Sequence, residues 1–589
     1  MPITDHRSAG AETAGRLARA QARLEVFDPS LVPLLHRELP CARQIVARRL
    51  VAAALREGLV DRRRHPAERH GFDRWEPTTV IDADPAVLLD RLTATVHPAV
   101  REELADATVN LALALARRSL TERELLERAR AAAAPDMVAL TAELDPDERT
   151  IAFERLAVTG HNLHPCARTR LGWDVPDVLA HDLESPVTSV GFLAVRRDLH
   201  VGDEVAGHLV GDLDADLERA LTAAGVDPRR FVVTPVHPWQ RRHVLHGRYA
   251  DLYADGALVP LDLAVPALVT AALRTLLVPS AGRFVKLSLD IQVTSTRRTI
   301  SVASTRNGPT LSRLLPDLIA DDRVLLLTEP VGSAVVAPAL AGPQPTGPDQ
   351  GRAGARERDL AAIVRCGLSG WLCDGEVAVP GMALPARDPL TGATVLADLV
   401  DRSGLSALAF VTRYAQVLLP PVLRLATRHG IGLEAHLQNC LLTFVDGVPH
   451  RLALRDLAGL RVHTPRLARS RPVALWPGSV TVTDDLEVML AKVSYTALQA
   501  HLGEVILQLA ASHGLDETAA WSAVRSIVDD VYAGLAAEPG LTDQARADHA
   551  YFTAPTAPHK ALLLMRLRAV AGQPGDYYVT VTNPLWRPR

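Results

Sequence analysis

From residue 11 to about residue 158 apolar side chains recur near every 3.6 positions, as in Ile45, Val46, Leu50, Val51, Ala54 and Leu55. That spacing predicts helices with one buried stripe. Thr121 followed by Glu124 reads as a capping box ahead of Leu125 and Leu126. Asp145-Pro146 predicts another helix start, with Gly160 as its end. Beyond Gly160 the period changes to short β-branched runs, 190–195, 230–236 and 284–293, separated by Pro and Gly. The Pro/Gly/Ala-rich stretch 337–359 predicts a long surface loop that could act as a hinge or lid. From about Leu405 helices return, interrupted by one hairpin at Asp446-Gly447. Helices, then strands, then helices with a hairpin predict a mixed α/β fold of the α+β kind. A length of 589 residues predicts two to four packed units.

The run 285–294 alternates strictly. Val285, Leu287, Leu289, Ile291 and Val293 are apolar, whereas Lys286, Ser288, Asp290, Gln292 and Thr294 are polar. One face of this strand is core; the other is a solvated outer face or a functional row. Ser295, Arg297, Arg298 and Thr299 follow at once.

In the hairpin segment 432–459, a two-residue turn at Asp446-Gly447 makes paired positions sum to 893. Asn439 then faces Leu454, and Leu437 faces Asp456. Asn439 and Asp456 become diagonal neighbours about 7–8 Å apart. An amide beside a carboxylate suits Mg²⁺, which takes hard oxygen ligands, and Glu434 and His436 lie just upstream. A hairpin with polar ends and a structural Asp is the alternative. In GHNLHPCARTRLGW, residues 160–173, His161, His164, Arg168 and Arg170 form a compact cationic loop able to meet an anion. Zinc is disfavoured there, because there is no His-Glu-x-x-His motif and no Cys partner at ligand spacing. In TPVHPWQ, residues 234–240, Trp239 is as readily core as site.

Composition changes this picture in three ways. The net charge of −4 disfavours nucleic acid, which needs a basic surplus to neutralise phosphates. Five cysteines without a Cys-x-x-Cys pair make no disulfide framework. The longest apolar run, 257–280, contains Asp262, Arg274 and several prolines. A bilayer span is therefore not expected, and with no leader-like start the expectation is a cytoplasmic protein. Of the 64 basic residues only Lys286, Lys492 and Lys560 are lysine, and Lys286 and Lys560 enter the candidate list on that ground. P-loop, dinucleotide-fingerprint and nucleophile-elbow motifs do not occur.

Taken in order, GHNLHPCARTR, PVHPWQ, LRTL, KLSLDIQVTSTRRTIS and EAHLQN followed by RDLAG resemble the IucA/IucC family. These are the synthetases of siderophores made without nonribosomal peptide synthetases. KALLLMRL and NPLW near the C-terminus also resemble the family's ending. The resemblance implies a cupped hand: a helical thumb at 1–155, sheet-rich fingers at 156–395 and a palm at 396–589. It implies ATP and Mg²⁺ as cofactors. A polycarboxylic acid, citrate or a related carboxylate, would be adenylated with release of pyrophosphate, and an amine or hydroxyl would then displace AMP. By the same resemblance Arg274 and Lys286 contact ATP. Thr294, Ser295, Arg298 and His436 are carboxylate-binding and catalytic positions, and Glu434, Asn439 and Asp456 hold metal and nucleotide. His161, His164 and Arg168 match a loop that usually reads His-Pro-x-His-Pro-x-x-Lys. Here Asn162 replaces the first Pro and Arg168 the Lys, and Ala272 stands where the family often has Ser. A homodimer is a family-level expectation. Two alternatives remain: a small-molecule kinase with a protein-kinase-like metal end, and a catalytically silent homologue.

Overall fold

The computed structural model describes residues 6–93, 95, 97–210, 214–336, 355–569 and 577–588. Helices His6–Phe27, Leu31–Arg56 and Pro98–Ala132 pack together at the N-terminal end. Helix Pro98–Ala132 begins on a proline at its first turn and runs 35 residues without a break. The capping box expected at Thr121 is therefore not a helix start. Its hydroxyl turns back onto the Arg117 carbonyl inside the helix, 3.4 Å away. The start at Asp145-Pro146 is as expected, with Asp145 accepting from the Asp147 amide, but the helix stops at Glu154, short of Gly160.

The middle of the chain forms an eight-stranded antiparallel sheet. Its order is His200–Gly202, Val331–Val335, Ala361–Cys366, Arg283–Leu287, Thr275–Val278, Leu258–Val269, Thr188–Arg196 and Phe231–Val236. The alternation at 285–294 is real, but it serves two strands. Arg283–Leu287 stays in this sheet, and Leu289–Val293 leaves it to pair with Thr296–Arg298. Ser288 makes the break: its amide donates to the Ala361 carbonyl and its hydroxyl to the Arg358 carbonyl. Val285 and Leu287 point into a core shared with the N-terminal helices, through residues such as Leu50 and Leu104. Lys286 points the other way, between Thr275 and Ile363. The polar face is not solvated, since Lys286, Ser288 and Asp290 are all buried.

The C-terminal part places helix Ala407–His429 against a four-stranded sheet ordered Val324–Leu326, Val448–Leu454, Cys440–Val445 and Glu376–Pro380. Phe410, Tyr414, Leu418, Leu442 and Phe444 fill a second core there. The hairpin turns at Asp446-Gly447 as expected, and its first pairs sum to 893. A bulge opposite Thr443 then adds one residue, because the Thr443 hydroxyl takes the Arg451 amide at 2.9 Å. The register correction puts Asn439 opposite Arg455, whose amide donates to the Asn439 carbonyl at 3.0 Å, instead of opposite Leu454. The loop expected at 337–359 lies outside the described residues up to 354, and Ala355–Glu357 is a short 3₁₀ turn. All five cysteines are free thiols. Among the described residues no single helix is long and apolar enough to cross a membrane.

Candidate active site

Three cavity histidines share a local device that His237 in the core also uses. The backbone amide two residues on donates to Nδ1: Leu163 to His161 at 3.1 Å, Cys166 to His164 at 2.9 Å, and Gln438 to His436 at 3.2 Å. An Nδ1 that accepts leaves the proton of the neutral ring on Nε2, so this network assigns all three as Nε2–H donors. Burial lowers the pKa of each, most strongly for His164. For His436, Glu434 opposes burial without reversing it. His161 opens onto solvent within the cavity, and His436 and Arg49 add to its depression. His164 donates through Nε2 to Ser295 Oγ at 2.6 Å, which frees the Ser295 hydroxyl proton for a ligand.

Ser295 and Thr294 form the two-residue turn between Leu289–Val293 and Thr296–Arg298, with Thr294 at φ 57°. Arg298 returns from that turn to donate to the Val293 carbonyl at 3.1 Å and the Thr294 hydroxyl at 3.0 Å. Arg274 braces the next residues, donating to the Arg298 and Thr299 carbonyls at 2.8 and 3.0 Å. Burial, reinforced by Arg274 and Arg170, pushes the Arg298 pKa down to about 10, which still leaves a full cation at neutral pH.

Lys286 crosses from the eight-stranded sheet to the hairpin, its Nζ 2.6 Å from Asp456 Oδ1. Burial alone would raise the Asp456 pKa. The Lys286 ammonium, with Arg274, outweighs burial and holds it well below the usual carboxylate range. Asp456 has φ 66°, a left-handed conformation that Asp tolerates better than most residues. The chain thus leaves the pleat at Asp456, and Asn439 and Asp456 line one cavity without the diagonal pairing expected from the sequence. Glu434 is ion-paired with Lys492, and Asn439 Nδ2 lies 3.4 Å from Glu434 Oε2. Gly459 leaves room for that carboxylate, since a Cβ there would sit 1.7 Å from Glu434 Oε2. Glu434, Asn439 and Asp456 are side chains of the hard-oxygen type Mg²⁺ takes, but among the described residues no three His, Cys, Asp or Glu side chains converge as a ready metal site, and each carboxylate is paired with an ammonium group.

A buried clasp supports the floor. Glu154 pairs with Arg455 and accepts from the Ala271 amide at 2.7 Å, while Arg455 Nε donates to the Gln438 carbonyl at 2.9 Å. The loop carrying Arg274 is so tied to the hairpin carrying Asp456. Arg455→Met strands the fully buried Glu154 carboxylate and is expected to cost about 3 kcal/mol. The double variant Glu154→Gln/Arg455→Met should recover part of that, because Gln still accepts from Ala271. Denaturation midpoints of the single and double variants check both expectations.

Above this clasp the site side chains line one cavity of about 910 Å³. All twelve residues singled out from the sequence border it, from His161, His164 and Arg168 to Asn439 and Asp456. Arg168 does so with a guanidinium already engaged by Asp182 and Glu184, at 3.2 and 2.9 Å. All three lysines of the chain border it too; Lys492, paired with Glu434, was missed, although its rarity was the signal that could have found it. Arg49, Arg56, Tyr495 and Glu504 were missed as well, because they sit in helices with nothing local to mark them, and so was Arg74, on the short strand Arg74–Pro77. His237 and Trp239 are core, and Gln240 stitches Asp290 to the Asp359 carbonyl.

Residues 149–386 match the family model described as IucA / IucC family, and residues 408–575 match the one described as Ferric iron reductase FhuF-like transporter. The match makes residues 149–386 an IucA/IucC-type segment. A D-ornithine–citrate ligase of Staphylococcus aureus (strain NCTC 8325 / PS 47) is 26% identical over 471 residues, 75% of this chain and 71% of that protein. Among solved structures, the petrobactin biosynthesis protein AsbB of Bacillus anthracis str. Sterne superposes with a TM-score of 0.76 at 21% identity, covering 94% of this chain and 97% of that one. The ATP-bound aerobactin synthetase IucA from a hypervirulent pathotype of Klebsiella pneumoniae superposes with a TM-score of 0.64 at 19% identity, covering 85% of each chain. At these identities the superpositions establish an IucA/IucC-type fold.

Proposed function

We propose that this protein is a member of the IucA/IucC family and an ATP-dependent ligase of siderophore biosynthesis, joining one carboxylate of a polycarboxylic acid such as citrate to an amine or hydroxyl. The observation that carries this reading is the Lys286–Asp456 contact, at 2.6 Å, inside a cavity also lined by Arg274 and Arg298. Residues from two different sheets gather cations where two anions, a triphosphate and a carboxylate, must meet against their own repulsion. In this reading 1–155 is the thumb, 156–395 the fingers and 396–589 the palm.

A carboxylate oxygen of the acid attacks the α-phosphorus of ATP, and the bond to pyrophosphate breaks. The amine or hydroxyl then attacks the acyl carbon; the bond to AMP breaks, and the nucleophile's proton passes to solvent. Lys286 and Arg274 hold the phosphates. Arg298, the Ser295 hydroxyl and the Nε2–H groups of His161 and His436 hold the acid, with Thr294 and His164 orienting Arg298 and Ser295. The neutral imidazoles act as hydrogen-bond donors to negative charge, which positions the acid without a proton transfer at that step. Mg²⁺ bound by Glu434, Asn439 and Asp456 would supply further neutralisation of phosphate charge.

The test is product analysis with ATP, Mg²⁺ and a panel of polycarboxylates. Acid-dependent AMP and pyrophosphate in equal amounts, with an acyl hydroxamate trapped by hydroxylamine, are expected. ADP as the nucleotide product, or no acid-dependent pyrophosphate from any member, would remove this reading.

A further inference from the structure

The wall of the cavity supplied by the N-terminal helices is charged in a way the adenylation step does not use. Arg49 and Arg56 lie seven residues apart on one face of helix Leu31–Arg56, and both border the cavity. Arg49 donates to the Thr159 carbonyl at 2.7 Å, and Arg56 to the Asp73 carbonyl at 3.1 Å. Arg56 also stands 3.5 Å from Nε2 of His559, an imidazole that burial keeps neutral. Among the described residues neither guanidinium has a carboxylate partner. Their neighbour Arg74 is different, being held by Glu504 and by Glu76 at 3.0 Å. Glu504 in turn accepts from Asn162 at 2.7 Å and Gln508 at 2.8 Å. Tyr495, only 7% exposed, borders the same wall, and its hydroxyl has no hydrogen-bond partner among the described residues.

This wall meets the rest of the cavity at His161. His161 lies within electrostatic reach of both Arg298 and Arg49. Arg298 in turn neighbours Arg274, which faces Asp456. Contacts link Arg274 to Arg298, Arg298 to Thr294, Ser295 to His164 and His164 to His161, whose ring centroids are 6.2 Å apart, and Arg49 meets the chain at Thr159, two residues before His161.

We propose that this wall is the acceptor subsite and that it takes an amine bearing its own free carboxylate, an amino-acid-like nucleophile, with Arg49, Arg56 and the Tyr495 hydroxyl receiving that carboxylate. The assignment rests on the ligase reading. An acid bound at Arg298 and Ser295 has its activated carboxylate beside the nucleotide, so an incoming nucleophile approaches from the far side, past His161. Two guanidiniums with no ion-paired carboxylate and an unpartnered hydroxyl suit a carboxylate. They repel the ammonium groups of a plain polyamine, which gives selectivity by exclusion as well as by attraction. Glu504, the carboxylate next to Arg49 and Arg74, supplies the counter-charge for the amino end. Asn162, which replaces the family's proline, fixes that carboxylate.

The experiment measures binding of matched pairs to the full-length protein by ligand-observed NMR and calorimetry: ornithine against putrescine, and 2,3-diaminopropanoate against ethylenediamine. The carboxylated member of each pair is expected to bind at least about tenfold more tightly, the scale of one charge-assisted contact. In Arg49→Gln, and independently in Arg56→Gln, the carboxylated amine should lose about tenfold in affinity while citrate changes by less than about twofold. Melting curves identify a variant that fails to fold, and the other variant then carries the test. Equal or tighter binding of the diamines overturns the proposal. So does a loss of citrate affinity in place of amine affinity, which would assign the wall to the acid. Loss of acid-dependent pyrophosphate release in the wild-type protein, with amine selectivity intact, would instead defeat the ligase reading and leave the wall as a carboxylated-amine site.

Discussion

Lys286→Ala should lower acid-dependent pyrophosphate release by on the order of 10³, the upper range for losing one preorganised electrostatic contact. Two effects combine. The triphosphate loses a compact ammonium fixed in the middle of a sheet strand, with neighbours Thr275 and Ile363 on either side. Asp456 simultaneously loses the cation that holds it ionised, and Glu329, whose pKa is raised by burial with Lys286 opposing, stands behind it. The vacated position then presents acid to phosphate. Lys286→Arg retains the charge but replaces a point donor with a planar fork in a buried slot, so it should recover only a small part of the rate. Initial rates of pyrophosphate release, with melting midpoints to confirm folding, check both variants. A Lys286→Ala enzyme within tenfold of wild type would detach this lysine from the phosphates.

Arg298→Ala is expected to lower turnover by on the order of 10² or more, and His436→Ala similarly, each removing a fixed donor to the acid. The pH dependence tests the charge states assigned to both. Burial lowers the pKa of all three cavity imidazoles below the ordinary histidine value, so from pH 6.5 to 8.5 each is chiefly a neutral donor. Arg298, at about 10, remains cationic across the same interval. Affinity for the acid should therefore be flat from pH 6.5 to 8.5. A pocket relying on protonated histidine would lose affinity as pH rises through that range. Isothermal titration of citrate at several pH values distinguishes these outcomes, and a steep loss above pH 7 would contradict the neutral-donor assignment.

Much of the site was legible because its signals are local. A lysine in a chain that otherwise uses arginine marked Lys286, and strict two-residue alternation marked the strand that carries it. The His-x-amide turns at His161, His164 and His436 depend only on residues two apart, and the turn at Asp446-Gly447 on two adjacent ones. Local reasoning failed where a long-range partner decided the outcome. The run 285–294 is one pattern but two strands, because Ser288 is claimed by Ala361 and Arg358. Thr121 looked like a cap, yet the helix begun at Pro98 had already formed through it.

The sequence by itself therefore determined the order of helical and pleated segments, the hairpin turn, and the set of cations and hard oxygens available for charge gathering, since these depend on residue type and short spacing. Only the tertiary structure decided how those groups are partnered. It set the hairpin register through the bulge at Thr443, engaged Arg168 with Asp182 and Glu184, paired Lys492 with Glu434, and brought Arg49 and Arg56 into the cavity from a helix more than 200 residues away from Lys286. Charge partners are chosen by distance in space, and side chains that meet across two cores leave no mark on the spacing of either segment.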